Sequence, residues 1–154
     1  MFSFLRRHSN SAIFSLLVLA VLGLYPLETT VVPPWTVHVV DVNRSSCADM
    51  PVQQSWSNYS WYFMGGGEFE ERNTNRDGIV EFPARSIRAS GLRRIIMPPI
   101  AHALTLAHGS VGIHSTVSMS GLKDVAWLSY EPGETLPRSA TVERCITKAD
   151  LRSK

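Results

Sequence analysis

Residues 73–83, Asn-Thr-Asn-Arg-Asp-Gly-Ile-Val-Glu-Phe-Pro, restrict the possible fold more than any other stretch of this chain. Asn75 and Asp77 can hydrogen-bond to nearby backbone, and Gly78 tolerates a positive φ, so the stretch begins as a turn. The Ile-Val-Glu-Phe that follows is β-rich, and the closing proline ends the strand because it has no N–H to donate to a ladder. With residues 68–72 as the partner strand, the pattern predicts a β-hairpin closed at Asp77 and Gly78.

The asparagines and the aspartate of this turn also imitate the opening of a calcium loop, in which alternate oxygen ligands precede a glycine. Such a loop needs a bidentate glutamate at its twelfth position, and that position is occupied by Ala84. A hairpin turn explains the same residues with fewer assumptions. No metal ligand is therefore predicted at this turn.

Short strands are predicted along much of the rest of the chain. Runs rich in β-branched and aromatic residues alternate with segments that contain Gly, Pro and polar residues. One helix is predicted over residues 84–97, weakened by Gly91 and ended by Pro98 and Pro99. Many short strands at this spacing are typical of a β-sandwich or a barrel. The further predicted strands are residues 35–43, 52–64, 100–108, 113–119, 125–130 and 140–146.

Residues 1–30 are predicted to be a targeting or membrane segment. Arg6 and Arg7 precede an uncharged apolar run over residues 12–27, whose length lies between that of a secretory signal and that of a membrane-spanning helix. No small-residue cleavage site follows the run, which favours an uncleaved signal-anchor, that is, a transmembrane helix, over secretion after signal cleavage. The positive-inside rule sends residues 31–154, one domain, to the extracytoplasmic side.

Three segments together resemble a known family. They are Val-His-Val-Val-Asp at residues 37–41, Met-Pro-Val at residues 50–52, and a Thr-x-x-x-Gly-x-x-x-Phe pattern at residues 74–82. This outline, which covers residues 35–83, is similar to that of the carboxypeptidase regulatory-like, transthyretin-like (prealbumin-like) domains. The resemblance implies a mainly β, Ig-like antiparallel β-sandwich with one short helix, preceded here by an N-terminal hydrophobic helix. It also implies a non-catalytic role, because such domains supply stability or contacts.

The chain has two cysteines, Cys47 and Cys145. In an exported chain an even pair predicts a disulfide, which here would tie the loop after residues 35–43 to the last strand. In the chain-entropy model, closing a loop of about 100 residues stabilises by about 4.7 kcal/mol. Two free buried thiols are the alternative if the domain faces the cytoplasm. Neither cysteine has the local motif of a thiol nucleophile.

Trp56, Trp61 and Tyr62 belong to an aromatic cluster within residues 52–64. Packing on a half-buried sheet is the most frequent role of aromatic side chains in a strand. A flat cluster could instead form a stacking platform for a sugar or a base. These three residues are therefore the candidate ligand contacts, with core packing as the preferred interpretation.

Four arginines could form a basic face on the helix predicted over residues 84–97. Such a face could contact anionic lipid headgroups or a polyanion, but an ordinary solvated helix face explains it more simply. The arginines are Arg85, Arg88, Arg93 and Arg94.

Three histidines could make a metal site. His102, His108 and His114 are spaced by six residues, and three imidazoles can hold a catalytic zinc ion. No supporting carboxylate or His-Glu-x-x-His pattern accompanies them. Ordinary hydrogen-bonded histidines in a sheet are the preferred interpretation.

The remaining sequence evidence disfavours catalysis. The chain contains no nucleophile elbow, phosphate loop or dinucleotide fingerprint. Its net charge of +2 supports no inference of polyanion binding, and no nucleic acid, metal or cofactor is predicted. The sequence predicts a non-catalytic, membrane-anchored accessory or interaction domain of the cell envelope, with a separate envelope protein as its partner. The alternatives are a small carbohydrate- or ligand-binding module and, third, a metal-dependent hydrolase.

Overall fold

The computed structural model describes residues 2–62, 67–105, 111–120 and 125–147, with side chains from residue 11 onward except those of Thr105 and Ser120. Within these ranges a helix is followed by six strands, a second helix and three further strands. The elements are α1 Phe2–Leu24, β1 Pro26–Val32, β2 Trp35–Asp41, β3 Pro51–Asn58, β4 Glu68–Asn73, β5 Ile79–Phe82, β6 Arg85–Ser90, α2 Gly91–Thr105, β7 Ile113–Ser120, β8 Val125–Tyr130 and β9 Ser139–Val142.

The chain is mainly β, as predicted, and its described strands form three sheets. The strand orders are β1-β6, β5-β2-β9 and β4-β3-β7-β8. All neighbouring strands are antiparallel except β2 and β9, which run parallel from the His38–Ser139 pair to the Asp41–Val142 pair. The prediction of a wholly antiparallel arrangement is wrong at this pair. Because β9 is reached by a loop from a strand of another sheet, no tight hairpin dictates its direction.

One hydrophobic core is shared by the three sheets. Trp35, Val37 and Val39 are fully buried along β2, because alternate side chains of a strand project to the same face. Each large apolar side chain that is fully buried stabilises the fold by about 1.5–3 kcal/mol. The other sheets contribute, among others, Val32, Val52, Ile87, Val117 and Met119.

The turn predicted at residues 75–78 forms, but the hairpin does not. The Asn75 side-chain oxygen accepts hydrogen bonds from the backbone N–H groups of Asp77 and Ile79, each at 2.9 Å, and Gly78 has a φ of 73°. However, β4 pairs with β3, whereas β5 pairs with β2 in another sheet. The turn therefore joins two sheets as an arch. Turn residues bend the chain locally, while burial of one strand face selects the strand that pairs with it.

Residues 85–90 are a strand, not part of the helix predicted over residues 84–97. Arg85, Ile87 and Ala89 are buried on one side of β6, and the residues between them are more exposed. This alternation has the period of a strand. β6 pairs antiparallel with β1, and residues 26–30 of β1 were predicted to belong to the N-terminal targeting segment.

Helix α2 begins later than predicted and passes through Pro98 and Pro99. Ser90 caps it, because its hydroxyl accepts a hydrogen bond from the Arg93 N–H at 3.3 Å. The prediction of a strand over residues 100–108 is wrong for residues 100–105, which belong to α2. Residues 106–108 lie outside the described part of the chain. A proline removes a backbone donor, so the pair predicts a helix end. Here both missing donors fall within a single turn, and the helix continues beyond it.

The remaining predicted strands are present with shifted ends. β2, β7 and β8 lie where strands were predicted, to within two residues at each end. β3 ends at Asn58 and β9 at Val142, earlier than predicted. β1 begins at Pro26, ahead of the domain start predicted at residue 31.

Helix α1 leads directly into this first strand. The Tyr25 N–H still donates to the Val21 carbonyl oxygen at 2.9 Å, one residue before β1 begins. In the described part of the chain, no helix has both the length and the apolar character that crossing a membrane requires. The transmembrane helix predicted within residues 1–30 is therefore not seen among the described residues.

Candidate functional site

The predicted disulfide partners are together. The sulfur atoms of Cys47 and Cys145 lie 2.05 Å apart and their Cα atoms 5.2 Å apart. Cys47 is fully buried in the loop that follows β2, and Cys145 lies just beyond the end of β9 rather than within the last strand. The bond therefore reinforces the parallel pairing of β2 with β9.

The three predicted ligand-contact residues pack within the protein rather than facing an open site. Trp56 is buried in the core, and Trp61 and Tyr62 are half-buried against it. Each ring has an arginine guanidinium over it, with the Cζ atom 4.2–4.4 Å from the ring centroid. These distances are typical of cation–π contacts. A ligand stacked on these rings would have to displace the arginines, which are Arg85 over Trp56, Arg94 over Trp61 and Arg93 over Tyr62.

The four arginines do not share a helix face, contrary to the prediction. Arg85 and Arg88 lie on β6, and Arg93 and Arg94 lie on the first turn of α2. Each binds acceptors elsewhere in the fold. The acceptors are Gln54 and Glu70 for Arg85, Glu28 for Arg88, the Trp61 carbonyl for Arg93, and the Leu27 and Ala89 carbonyls for Arg94.

Hydrogen bonds from neighbouring side chains lower the pKa values of two carboxyl groups, those of Glu28 and Glu70. Hydrogen bonds from Ser86 and Arg88 lower the pKa of Glu28 below its usual value. A hydrogen bond from Arg72, assisted by Arg85, lowers the pKa of Glu70. Donors that stabilise the charged form of a carboxyl always act in this direction. Both carboxyls are held as anions that bridge strands.

No metal site is seen in the described residues, where no group of three or more His, Cys, Asp or Glu side chains could hold an ion. His102 lies on α2 and His114 on β7, where its ring packs 5.9 Å from that of Tyr59. His108 lies outside the described residues. At the turn that imitates a calcium loop, the Asn75 side-chain oxygen is already bonded to two backbone N–H groups.

Helix α1 presents apolar side chains to solvent on all sides. From Ile13 to Leu24, its large apolar residues are 40–69% exposed. An ordinary amphipathic helix exposes polar residues and buries one apolar stripe. A helix that is apolar all round requires an apolar environment around it. The exposed residues are Ile13, Phe14, Leu16, Leu17, Val18, Leu19, Val21, Leu22 and Leu24.

Helix α2 has an apolar stripe on its exposed side. The stripe follows the i, i+3, i+4, i+8, i+12 spacing of one helix face, and its residues are 42–74% exposed. Ala101, on the opposite side, is fully buried. The stripe therefore points away from the core that such a pattern normally covers. Its residues are Leu92, Ile95, Ile96, Ile100 and Leu104.

The two helices meet where α1 ends and α2 begins. A Cβ placed on Gly91 would lie 3.4 Å from the Leu22 carbonyl oxygen, and one on Gly23 would lie 3.9 Å from the Leu92 Cβ. The exposed residues of α1 thus adjoin the stripe of α2. We call this combined set of exposed residues the apolar helical surface.

A second feature is a groove on the outer face of the four-stranded sheet. Ser55 on β3 lies between Phe69 on β4 and Thr116 on β7. Two residues further along, Gln53 pairs with Ser118, which pairs in turn with Trp127 on β8. The groove has a volume of about 610 Å³, within the range of ligand-binding clefts. We call it the sheet groove.

Hydroxyl groups form the floor of the sheet groove, and aromatic rings form its walls. Ser55 and Thr116 share a hydrogen bond of 2.7 Å between their hydroxyl oxygens. Ser57 is only 6% exposed, and its hydroxyl has no hydrogen-bond partner among the described residues. Phe69 and Trp127 are 70% and 65% exposed. The described lining residues include Glu68 but no lysine or arginine.

Sequence reasoning did not single out Phe69 or Trp127. The signal was present in β8, where Ala126, Leu128 and Tyr130 pack against the core. Strand alternation then places Trp127 on the opposite, solvent-facing side. Phe69 lies among charged residues, which is equally unusual for a core aromatic. The sequence signal was an aromatic residue at a strand position that alternation places on the solvent-facing side.

No family model, curated protein or solved structure matches this chain. Its function is therefore argued from the apolar helical surface and the sheet groove.

Proposed function

We propose that this protein is a non-catalytic accessory or interaction domain of the cell envelope, attached to a membrane by its apolar helical surface. The observation that carries the proposal is the exposure of large apolar residues all around α1. A protein groove could cover one side of such a helix, whereas lipid covers every side. Burying one large apolar side chain is worth about 1.5–3 kcal/mol, so a whole helix of them gives stable attachment.

Helix α2 supports the same proposal. Its stripe adjoins α1, and helices of this kind lie in the membrane interface with the apolar face in lipid. Arg93 and Arg94 hold the start of α2 on the sheets through the Trp61 and Leu27 carbonyls. Insertion of the stripe would therefore bring the β-domain close to the lipid surface.

Redox chemistry supports an extracytoplasmic position for the β-domain. The Cys47–Cys145 bond is of a kind that persists in oxidising compartments. Secretion after signal cleavage is the alternative.

We also propose a transthyretin-like β-sandwich of the carboxypeptidase regulatory-like family. Contacts between the three family-like segments support this assignment. The Val39 N–H donates to the Gly78 carbonyl at 2.8 Å, and the Thr74 N–H donates to the Met50 carbonyl at 3.0 Å. In return, the Met50 N–H donates to the Thr74 hydroxyl at 2.9 Å. The segments thus form one continuous structural unit.

Lipid photolabelling of the full chain tests membrane attachment. The purified protein is mixed with phosphatidylcholine vesicles that contain a photoactivatable phosphatidylcholine, and labelled peptides are mapped by mass spectrometry. We expect labels on α1 and α2 but not on β4. Replacing Leu16 and Leu19 by aspartate costs about 3 kcal/mol for each residue inserted in lipid, so vesicle partitioning should fall more than about 100-fold.

Val42→Asp is the matched control for photolabelling, because Val42 is 63% exposed but lies in the loop after β2, outside the apolar helical surface. It should leave partitioning unchanged. Absence of lipid label on α1 would refute the attachment. Recovery of a mature protein that lacks residues 1–25 from cells would do the same and would favour secretion.

A further inference from the structure

We infer that the sheet groove is a binding site for a carbohydrate chain, with Phe69 and Trp127 as stacking residues and the serine and threonine hydroxyls as hydrogen-bonding partners. This inference goes beyond membrane attachment and does not depend on it. It also moves the stacking role from Trp56, Trp61 and Tyr62 to Phe69 and Trp127. Of the first three, Trp56 lines the groove, but Arg85 lies over its ring.

The placement of the two exposed aromatics indicates an extended ligand. Phe69 is on β4 and Trp127 on β8, the two outer strands of the sheet. Three strand spacings separate them, about 14 Å, and their registers differ by two residues, about 7 Å along the strands. A single small molecule could not contact both rings. A chain of several linked rings could cross the groove from one aromatic to the other.

Hydroxyl groups on the groove floor can bind a hydroxyl-rich ligand. Ser55 and Thr116 use one donor for their mutual bond, so the other hydroxyl of the pair can still donate outward. A ligand that supplies hydroxyl groups can accept this hydrogen bond.

Other ligand classes fit the groove less well. Nucleic acids and other polyphosphates need cationic side chains, whereas the described lining includes Glu68 and no lysine or arginine. A lipid chain would leave the outward donor of the Ser55–Thr116 hydroxyl pair without an acceptor. A peptide strand pairs with a free sheet edge, which in the described part of this sheet means β4 or β8, whereas the groove floor lies on β3 and β7, each of which has a strand on both sides. Sugars remain, because their rings combine apolar C–H faces, which stack on aromatic rings, with peripheral hydroxyls.

Titration of the full chain in detergent micelles with neutral oligosaccharides tests the inference. The probes are the hexamers of β-1,4-glucose, α-1,4-glucose and β-1,4-N-acetylglucosamine, and dextran sulfate is the anionic comparison. We expect at least one neutral hexamer to bind with a Kd below about 1 mM. Trp127→Ala and Phe69→Ala should each weaken that binding at least about tenfold, because removing a stacking ring from a site costs this much or more.

Two further variants separate stacking from folding. Trp127→Phe keeps an aromatic face and should retain most of the affinity. Val125→Ala is the matched control, because Val125 is exposed on the same strand as Trp127 but does not line the groove. Failure of all three neutral hexamers to bind would overturn the inference. Binding of dextran sulfate alone, or binding that survives the Phe69→Ala and Trp127→Ala double change, would overturn it as well.

Discussion

At the scale of single residues, Gly78 shows how closely the arch between β4 and β5 is packed. Its φ of 73° suits glycine, and a Cβ there would lie 2.7 Å from the Val39 carbonyl oxygen and 2.9 Å from the Cys47 nitrogen. The first property could be anticipated from the sequence, since Asp-Gly predicts a turn. The second could not, because Val39 and Cys47 approach only when the sheets assemble.

Gly78→Ala should therefore destabilise the protein through both strain and overlap. A left-handed conformation costs an alanine about 1–2 kcal/mol, and overpacking adds about 1–3 kcal/mol. The free energy of unfolding, measured by denaturant titration without reductant, should fall by about 2–5 kcal/mol. Gly133→Ala is the control, because Gly133 has a φ of 97° but nothing within 4 Å of its added Cβ. Equal losses in the two variants would contradict the role of the close approach.

At the scale of elements, the Arg85–Glu70 ion pair ties two sheets together. Arg85 is on β6 of the two-stranded sheet, and Glu70 is on β4 of the four-stranded sheet. Arg85 also donates to Gln54 at 2.7 Å and stacks on Trp56. Sequence reasoning assigned this arginine to a solvated helix face, because its burial depends on strands that are distant in the chain. Residues 85–90 thus form strand β6, because its contacts with distant strands outweigh the helical preference that the local sequence pattern predicted.

Acid should weaken this link between the sheets. The pKa of Glu70 in the folded protein is lowered by Arg72 and Arg85, so its contribution to stability is present above the unfolded-state pKa of about 4.3. That contribution is lost as pH falls through the lower, folded-state pKa. The free energy of unfolding of Glu70→Gln should therefore depend less on pH below about 4.3 than that of the natural chain.

Denaturant titrations at a series of pH values measure this difference in acid dependence. Glu81→Gln is the control, because it removes a carboxylate from β5 without touching the pair. It should keep the acid dependence of the natural chain. An identical pH profile for Glu70→Gln and Glu81→Gln would show that the ion pair does not link stability to pH.

At the scale of the whole molecule, the Cys47–Cys145 disulfide links the loop after β2 to the segment after β9. It joins residues separated by 98 positions and lies beside the parallel β2–β9 pair. An even pair of cysteines in a chain expected to be exported predicted the bond. The parallel pairing beside it was not predictable, because β9 arrives from a strand of another sheet. If the β-domain lies on the extracytoplasmic side, as proposed, the bond would stabilise it there.

Removal of the disulfide should lower stability substantially. Loss of a native disulfide costs about 2–5 kcal/mol, and the chain-entropy model gives about 4.7 kcal/mol for a loop of this size. Denaturant titration of a Cys47→Ala, Cys145→Ala double variant should show that loss. The natural chain treated with reductant is the matched comparison and should lose a similar amount. A change below about 0.5 kcal/mol, the level of neutral surface substitutions, would contradict the proposed role of the bond.

By itself, the sequence determined the mainly β character, the turn at residues 75–78, the cysteine pairing and the approximate positions of β2, β7 and β8. These features depend on side-chain alternation, local hydrogen bonds and cysteine number, all of which can be read from the order of residues in the sequence. Tertiary structure decided which strands pair, that residues 85–90 join a sheet, and that Phe69 and Trp127 face a common groove. These features depend on contacts between distant segments, and burial in a shared core outweighs local preference wherever the two disagree.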